Sequence, residues 1–175
     1  MFRQRTPATL GVAVVMLLSG CAAKMVTTPE IQASPNADVR LQGKILYDGN
    51  REYLPRMLAD ASIDPIELGF RYSYDVKYGR DSVPRVLPLF NPLTIVGFPI
   101  GEDTLAVEAH LAILKGEEVI KTYTAACLLE STRNIFWPGE TYSELRRKGL
   151  MAVRDNIENQ MLRDREFLST LSTIK

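Results

Sequence analysis

Histidine, cysteine and tryptophan are scarce in this chain, and net charge is missing altogether. It has one His, one Trp and two Cys, and 21 basic side chains balance 21 acidic ones. A Ser-His-Asp arrangement would have to use His110, yet no serine sits in a Gly-x-Ser-x-Gly elbow. Zinc sites draw on several His or Cys ligands, and the chain offers few of either. Balanced charge removes the basic footprint that nucleic acid requires, and no polybasic cluster points to anionic lipid. Asp60-Ala-Ser-Ile-Asp64 starts like a calcium loop, but Pro65 replaces the glycine and Arg71 the bidentate glutamate. Gly97-Phe-Pro-Ile-Gly101 lacks the lysine and hydroxyl residue of a phosphate loop. Glycan cleavage needs two carboxylates facing each other across a cleft. Glu117-Glu118 are neighbours in a turn, and Glu102-Asp103 are also adjacent and would need a distant partner. The expectation is a protein that is not an enzyme, with no catalytic residue, no metal and no cofactor.

Long apolar runs are missing too. The longest, Leu10 to Leu18, is about half the roughly twenty residues that a helix needs to cross a bilayer. It follows Arg3 and Arg5 and precedes the small pair Ser19-Gly20, which is the layout of a secretory signal. Leu18-Ser19-Gly20-Cys21 then resembles the lipobox of bacterial lipoprotein signal peptides. That resemblance implies removal of residues 1–20 and lipidation of Cys21, typically with a diacylglycerol on sulfur and a further acyl chain, such as palmitate, on the new amine. Several long chains at about 0.8 kcal/mol per buried methylene would hold a protein at a membrane. Ala22, rather than aspartate, follows the cysteine. By resemblance to the enterobacterial sorting pattern this implies the outer membrane, facing the periplasm, in a Gram-negative host. With Cys21 acylated, Cys127 has no partner for an intramolecular disulfide.

Residues 21–37 are small and polar, with Thr27-Thr28-Pro29 and Ser34-Pro35-Asn36, and read as a lipidated flexible tether. Residues 38–175 are enough for one domain. Alternation predicts a first strand over Val39–Tyr47, with Gly43 as a weak point. Tyr53, Leu54, Met57, Leu58 and Ala61 recur at helical spacing and predict a short helix with Pro55 in its first turn. Leu68 to Tyr78 alternates cleanly, placing Phe70, Tyr72, Tyr74 and Val76 on one face. Segments 104–114 and 119–128 form a hairpin in which His110 and Glu108 share the solvated face. Thr141-Tyr-Ser-Glu144 has capping-box spacing and opens a long amphipathic helix. Its apolar stripe runs through Tyr142, Leu145, Gly149, Ala152, Val153, Ile157, Met161 and Leu168, while Arg146, Arg147, Lys148, Arg154, Asp155, Glu158 and Arg163 face water. The expected fold is α+β: a two-layer sandwich of a small, mainly antiparallel sheet with the C-terminal helix packed on it. This order of elements resembles small envelope lipoproteins with TolB-N-terminal-like domains.

Residues 83–100 fit neither strand nor helix. Large apolar side chains alternate there with Pro84, Pro88, Pro92 and Pro99. Two arrangements are open: a connection folded onto the core, or an exposed apolar lip touching lipid or a partner protein through Leu89, Phe90, Ile95 and Phe98. Trp137 is either a staple on the last helix or an aromatic anchor of the same kind. The function expected is a membrane-anchored envelope lipoprotein, bound through its N-terminal acyl chains, acting as a non-catalytic accessory or scaffolding subunit for an envelope protein partner. The alternative is a periplasmic binding module for a lipid, glycan or peptide ligand. Homo-oligomerisation is open, and no nucleic-acid partner is expected.

Overall fold

The computed structural model describes residues 23–32, 40–61, 68–80 and 99–172. Six strands form one sheet: β1 (Lys24–Thr28), β2 (Leu41–Leu46), β3 (Leu58–Asp60), β4 (Leu68–Arg80), β5 (Gly101–Lys115) and β6 (Glu118–Arg133). Two helices follow, α1 (Tyr142–Arg163) and α2 (Arg165–Ser172). The strand order is β1-β6-β5-β4-β2-β3. The β4, β5, β6 and β1 ladder is antiparallel, whereas β2 runs parallel to both β3 and β4. The fold is therefore mixed, with a mainly antiparallel sheet and C-terminal helices, as expected at that level.

The alternation read from the sequence sorts the two faces of the sheet. Leu105, Val107, Ala109, Leu111 and Ile113 of β5 are buried, as are Tyr123, Ala125, Cys127 and Leu129 of β6 and Phe70 and Tyr72 of β4. Helix α1 lays Leu145, Leu150, Val153, Ile157 and Met161 against this surface. Each such side chain fully withdrawn from water contributes roughly 1.5–3 kcal/mol. Gly149 sets the approach distance, because a Cβ there would lie 2.6 Å from a Val107 methyl and 3.0 Å from one of Leu129. Gly43 plays the same part within the sheet. A Cβ there would come within 2.6 Å of both the Leu68 carbonyl and the Phe70 ring. The residue that weakens the strand by composition is thus the one that lets β2 pass close to β4.

The helix start follows the expected capping box: Glu144 N–H donates to Thr141 Oγ1 at 3.3 Å and Thr141 N–H to Glu144 Oε2 at 2.8 Å. Bonding to Thr141 holds the exposed Glu144 carboxyl below its ordinary range.

Several expectations need correction. Lys24–Thr28, expected in the tether, is an edge strand on β6, and Asn156 Nδ2 of α1 donates to the Pro29 carbonyl at 2.7 Å. The helix expected from Tyr53 to Ala61 is a single 3-10 turn, Arg51–Tyr53, followed by the short strand β3. Its apolar residues Tyr53, Leu54 and Met57 are buried as the spacing suggested. The backbone after Pro55 instead pairs in register with β2, Leu41 opposite Leu58, and Leu41 N–H donates to the Met57 carbonyl at 2.8 Å.

The last helix is interrupted at Asp164. That carboxylate is drawn to the sheet by Lys121 Nζ at 2.8 Å and the Tyr123 hydroxyl at 3.1 Å. Bonding to Lys121 first, and also to Tyr123, lowers its pKa despite partial desolvation. Arg154, expected in solvent, is 6 % exposed. Its guanidinium spans Asp155 Oδ1 at 2.6 Å and the Glu52 carbonyl at 2.7 Å, tying α1 to the 3-10 turn. Tyr142, expected on the buried stripe, is exposed and meets Tyr78 edge-on with ring centroids 5.1 Å apart.

Candidate functional site

Among the described residues no helix is long and apolar enough to cross a membrane, and no group of three or more His, Cys, Asp or Glu could hold a metal ion. His110 stands on the uncovered face of β5 with Nε2 3.4 Å from Glu108 Oε1, both side chains open to water. Cys127 is buried beneath α1, and burial pushes its thiol up to about 11, so almost none is thiolate at neutral pH. Asp103 is also buried, 3.5 Å from Arg80 Nε and 3.3 Å from Arg133 Nε. It ties β4, β5 and β6 together at one end of the sheet. Its neighbour Glu102 points to the opposite face of the pleat, so the two carboxylates do not face each other across a cleft.

Four tyrosines, Tyr47, Tyr53, Tyr72 and Tyr74, pack edge-on or tilted where β2, β4 and the 3-10 turn meet. Arg146 donates to the Tyr74 hydroxyl at 3.0 Å. Burial is the main cause that raises the Tyr72 phenol, with Tyr47 and Tyr74 adding to it. This cluster is packed between elements.

The candidate site is the face of the sheet that the helices leave uncovered. Registers align Val26, Leu128, Ala106 and Lys77 in one row across β1, β6, β5 and β4, and Thr28, Ala126, Glu108 and Asp75 in the next. Ala106, beside Leu128 in the first row, and Ala126, beside Thr28 in the second, make a low floor next to the larger, exposed pair Val26 and Leu128. The resulting depression has a volume of about 310 Å3 and is not enclosed. Charges around it pair on the same face: Lys77 with Asp75 at 3.8 Å, and Lys24 with Glu130 at 3.9 Å. Exposed pairs at these distances contribute little to stability, so they remain available to another surface.

A second, larger depression of about 690 Å3 lies between the β1 edge and α1. Met25, Leu129, Met151 and Ala152 supply its apolar wall, and Glu144, Arg147, Lys148 and Asp155 its charged rim.

The sequence-predicted contact residues Leu89, Phe90, Ile95 and Phe98 lie outside the described residues, as does Cys21. Trp137 is described and stands 44 % exposed. The sequence reading missed its neighbours Ile135 and Phe136, which are 44 % and 71 % exposed. The available signal was Asn134, whose Oδ1 accepts from Phe136 N–H at 2.9 Å and Trp137 N–H at 2.7 Å. An asparagine placed to bond two residues onward folds a tight turn and throws the intervening side chains outward. Compared with known proteins, the chain matches no family model and no curated protein.

Proposed function

We propose that this chain is an envelope lipoprotein, acylated on Cys21, that acts as a non-catalytic accessory or scaffolding subunit. It would present the uncovered face of its sheet to an envelope protein partner. We read the architecture as a two-layer α+β sandwich with helices on one side only. The observation that carries the proposal is the contrast on that bare side: small floor residues beside the exposed pair Val26 and Leu128, with charged pairs around them. A broad, open surface of this kind suits another protein surface better than a small molecule, which ordinarily has most of its area enclosed. The lipobox supplies the location, a periplasm-facing outer-membrane anchor, and the scarcity of convergent chemical groups supports a non-enzymatic role.

A binding module for a lipid, glycan or peptide remains the second reading, favoured by the apolar depression between β1 and α1. Mass analysis of the N-terminal peptide tests the anchor: acylated Cys21 supports it, and a bare thiol overturns it. A photocrosslinker at Leu128 in native membranes tests the partner. A discrete adduct with one envelope protein, lost in Ala106→Glu/Ala126→Glu, supports the scaffolding role. An adduct only with a second copy of the chain assigns the face to self-assembly, and no adduct shifts the reading to the ligand-binding module.

A further inference from the structure

We infer that the end of the sheet carrying Ile135, Phe136 and Trp137 is a lipid-contacting surface, seated in the headgroup region beside the acylated cysteine. The inference rests on the proposed anchor and adds an orientation to it. Strand β1 runs antiparallel to β6 with Lys24 opposite Glu130, and β6 ends at Arg133. The chain therefore enters β1 at the same end of the sheet where it leaves β6. Cys21 precedes Lys24 by three peptide units, which limits their Cα separation to about 11 Å. A domain joined to its acyl chains by so short a connection cannot stand away from the bilayer. The end of the sheet where β1 begins must lie at the surface.

Four of the five exposed aromatic side chains among the described residues collect at that end, while Phe167, with Val119, lies exposed at the other. Phe136, Trp137, Tyr78 and Tyr142 are all 40 % or more exposed, with Ile135 beside them. Tyr78 belongs to the last turn of the pleat in β4, and Tyr142 begins α1 immediately after the loop. The opposite end of the same strands closes through Lys115, Gly116, Glu117 and Glu118, all exposed and mostly charged. Tryptophan and tyrosine favour the zone between water and hydrocarbon, where an apolar ring and a polar tip are both satisfied.

The loop is built to enter that zone. Asn134 accepts from the backbone N–H groups of Phe136 and Trp137 and donates its own N–H to the Trp137 carbonyl at 2.8 Å. These backbone groups thus need no water, which lowers the cost of moving the loop tip into a less polar medium. Stable attachment by lipid ordinarily takes two signals. The several acyl chains on Cys21 already meet that requirement, so this loop is not needed for attachment and instead fixes which way the domain faces. The uncovered sheet face then stands upright from the membrane with its floor open sideways.

The test uses the single tryptophan of the chain, Trp137, as its own reporter. Protein extracted from membranes is reconstituted in phosphatidylethanolamine–phosphatidylglycerol vesicles, with or without lipids brominated near the headgroup end of their acyl chains. The N-terminal peptide mass is measured on the same preparation. Expected is blue-shifted emission and about twofold quenching by the brominated lipid, insensitive to high salt, as for an interfacial ring. Phe136→Ser with Ile135→Ser should lower that quenching and shift emission to the red, with the unfolding midpoint unchanged. Acylated Cys21 with no bromine quenching and full access of iodide to Trp137 overturns the loop contact while leaving the anchor intact. A bare thiol at Cys21 overturns the anchor, and this inference with it.

Discussion

Strand β5 serves two unlike surfaces at once. Its odd residues from Leu105 to Ile113 lie at 0–1 % exposure beneath α1. Its even residues, Ala106, Glu108, His110 and Ala112, face the uncovered side and are small or polar. The same hydrogen-bond ladder holds both sets, so only the pleat separates them. One face therefore carries the stability of the domain, and the other can change for a partner without unfolding it.

Substitutions on the covered face should have the largest effect. Leu111→Ala is expected to cost about 2–5 kcal/mol, read as a lower denaturant midpoint, because a methyl-lined void would remain beneath α1. A loss under about 0.5 kcal/mol, the range of an ordinary surface change, would break the comparison. Gly149→Val should follow at about 1–3 kcal/mol, since the added carbons meet Val107 and Leu129 before the helix can settle.

Thr141→Ala removes the cap of α1 and should cost about 1 kcal/mol in thermal or chemical unfolding. It also has a pH signature. The Glu144 carboxyl titrates lower in the folded protein than in the unfolded chain. Its contribution is therefore present above the unfolded carboxylate range and lost as pH falls through the folded value. Thr141→Ala keeps the backbone N–H that is the larger cause and should flatten that acid limb only in part, whereas Glu144→Gln should remove it; an unchanged pH profile in Glu144→Gln would show that the box does not set it. The smallest effect is expected across the strand from the core: Ala106→Glu should leave stability within about 0.5 kcal/mol while weakening the proposed partner crosslink. A large destabilisation there would mean that the uncovered face is part of the core.

Much of this division could be read before any coordinates. Alternation in Leu68–Tyr78 and in the hairpin needs only a pleat with one wet side, and the capping box needs only local spacing. What escaped depends on distant partners. Lys24–Thr28 is short and polar enough to pass for a tether, and becomes a strand because β6 offers an unpaired edge. Tyr53, Leu54 and Met57 have helical spacing, yet a parallel partner in β2 takes the backbone after Pro55. Arg154 looks like a surface residue until the Glu52 carbonyl, about a hundred positions away, receives its guanidinium. Asp164 looks like one more helical position until Lys121 and Tyr123 claim its carboxylate. Of the candidate site, the solvated side of the hairpin was legible through Glu108 and His110; of the proposed lipid contact, only Trp137 was. Its companions Phe136 and Ile135 gained meaning once the sheet showed which end they share with the start of β1.

The pairing of β1 along β6 also decides how the domain would respond to pulling. Tension that arrives in line with β1 loads the strand lengthwise. The bonds between Lys24–Thr28 and Ala126–Glu130 are then loaded together, with the Asn156 clasp on Pro29 behind them. A seam loaded lengthwise must slip as a whole, whereas one peeled from its end opens a rung at a time. The first described strand would in this way transmit drag from its surroundings into the whole sheet instead of tearing loose.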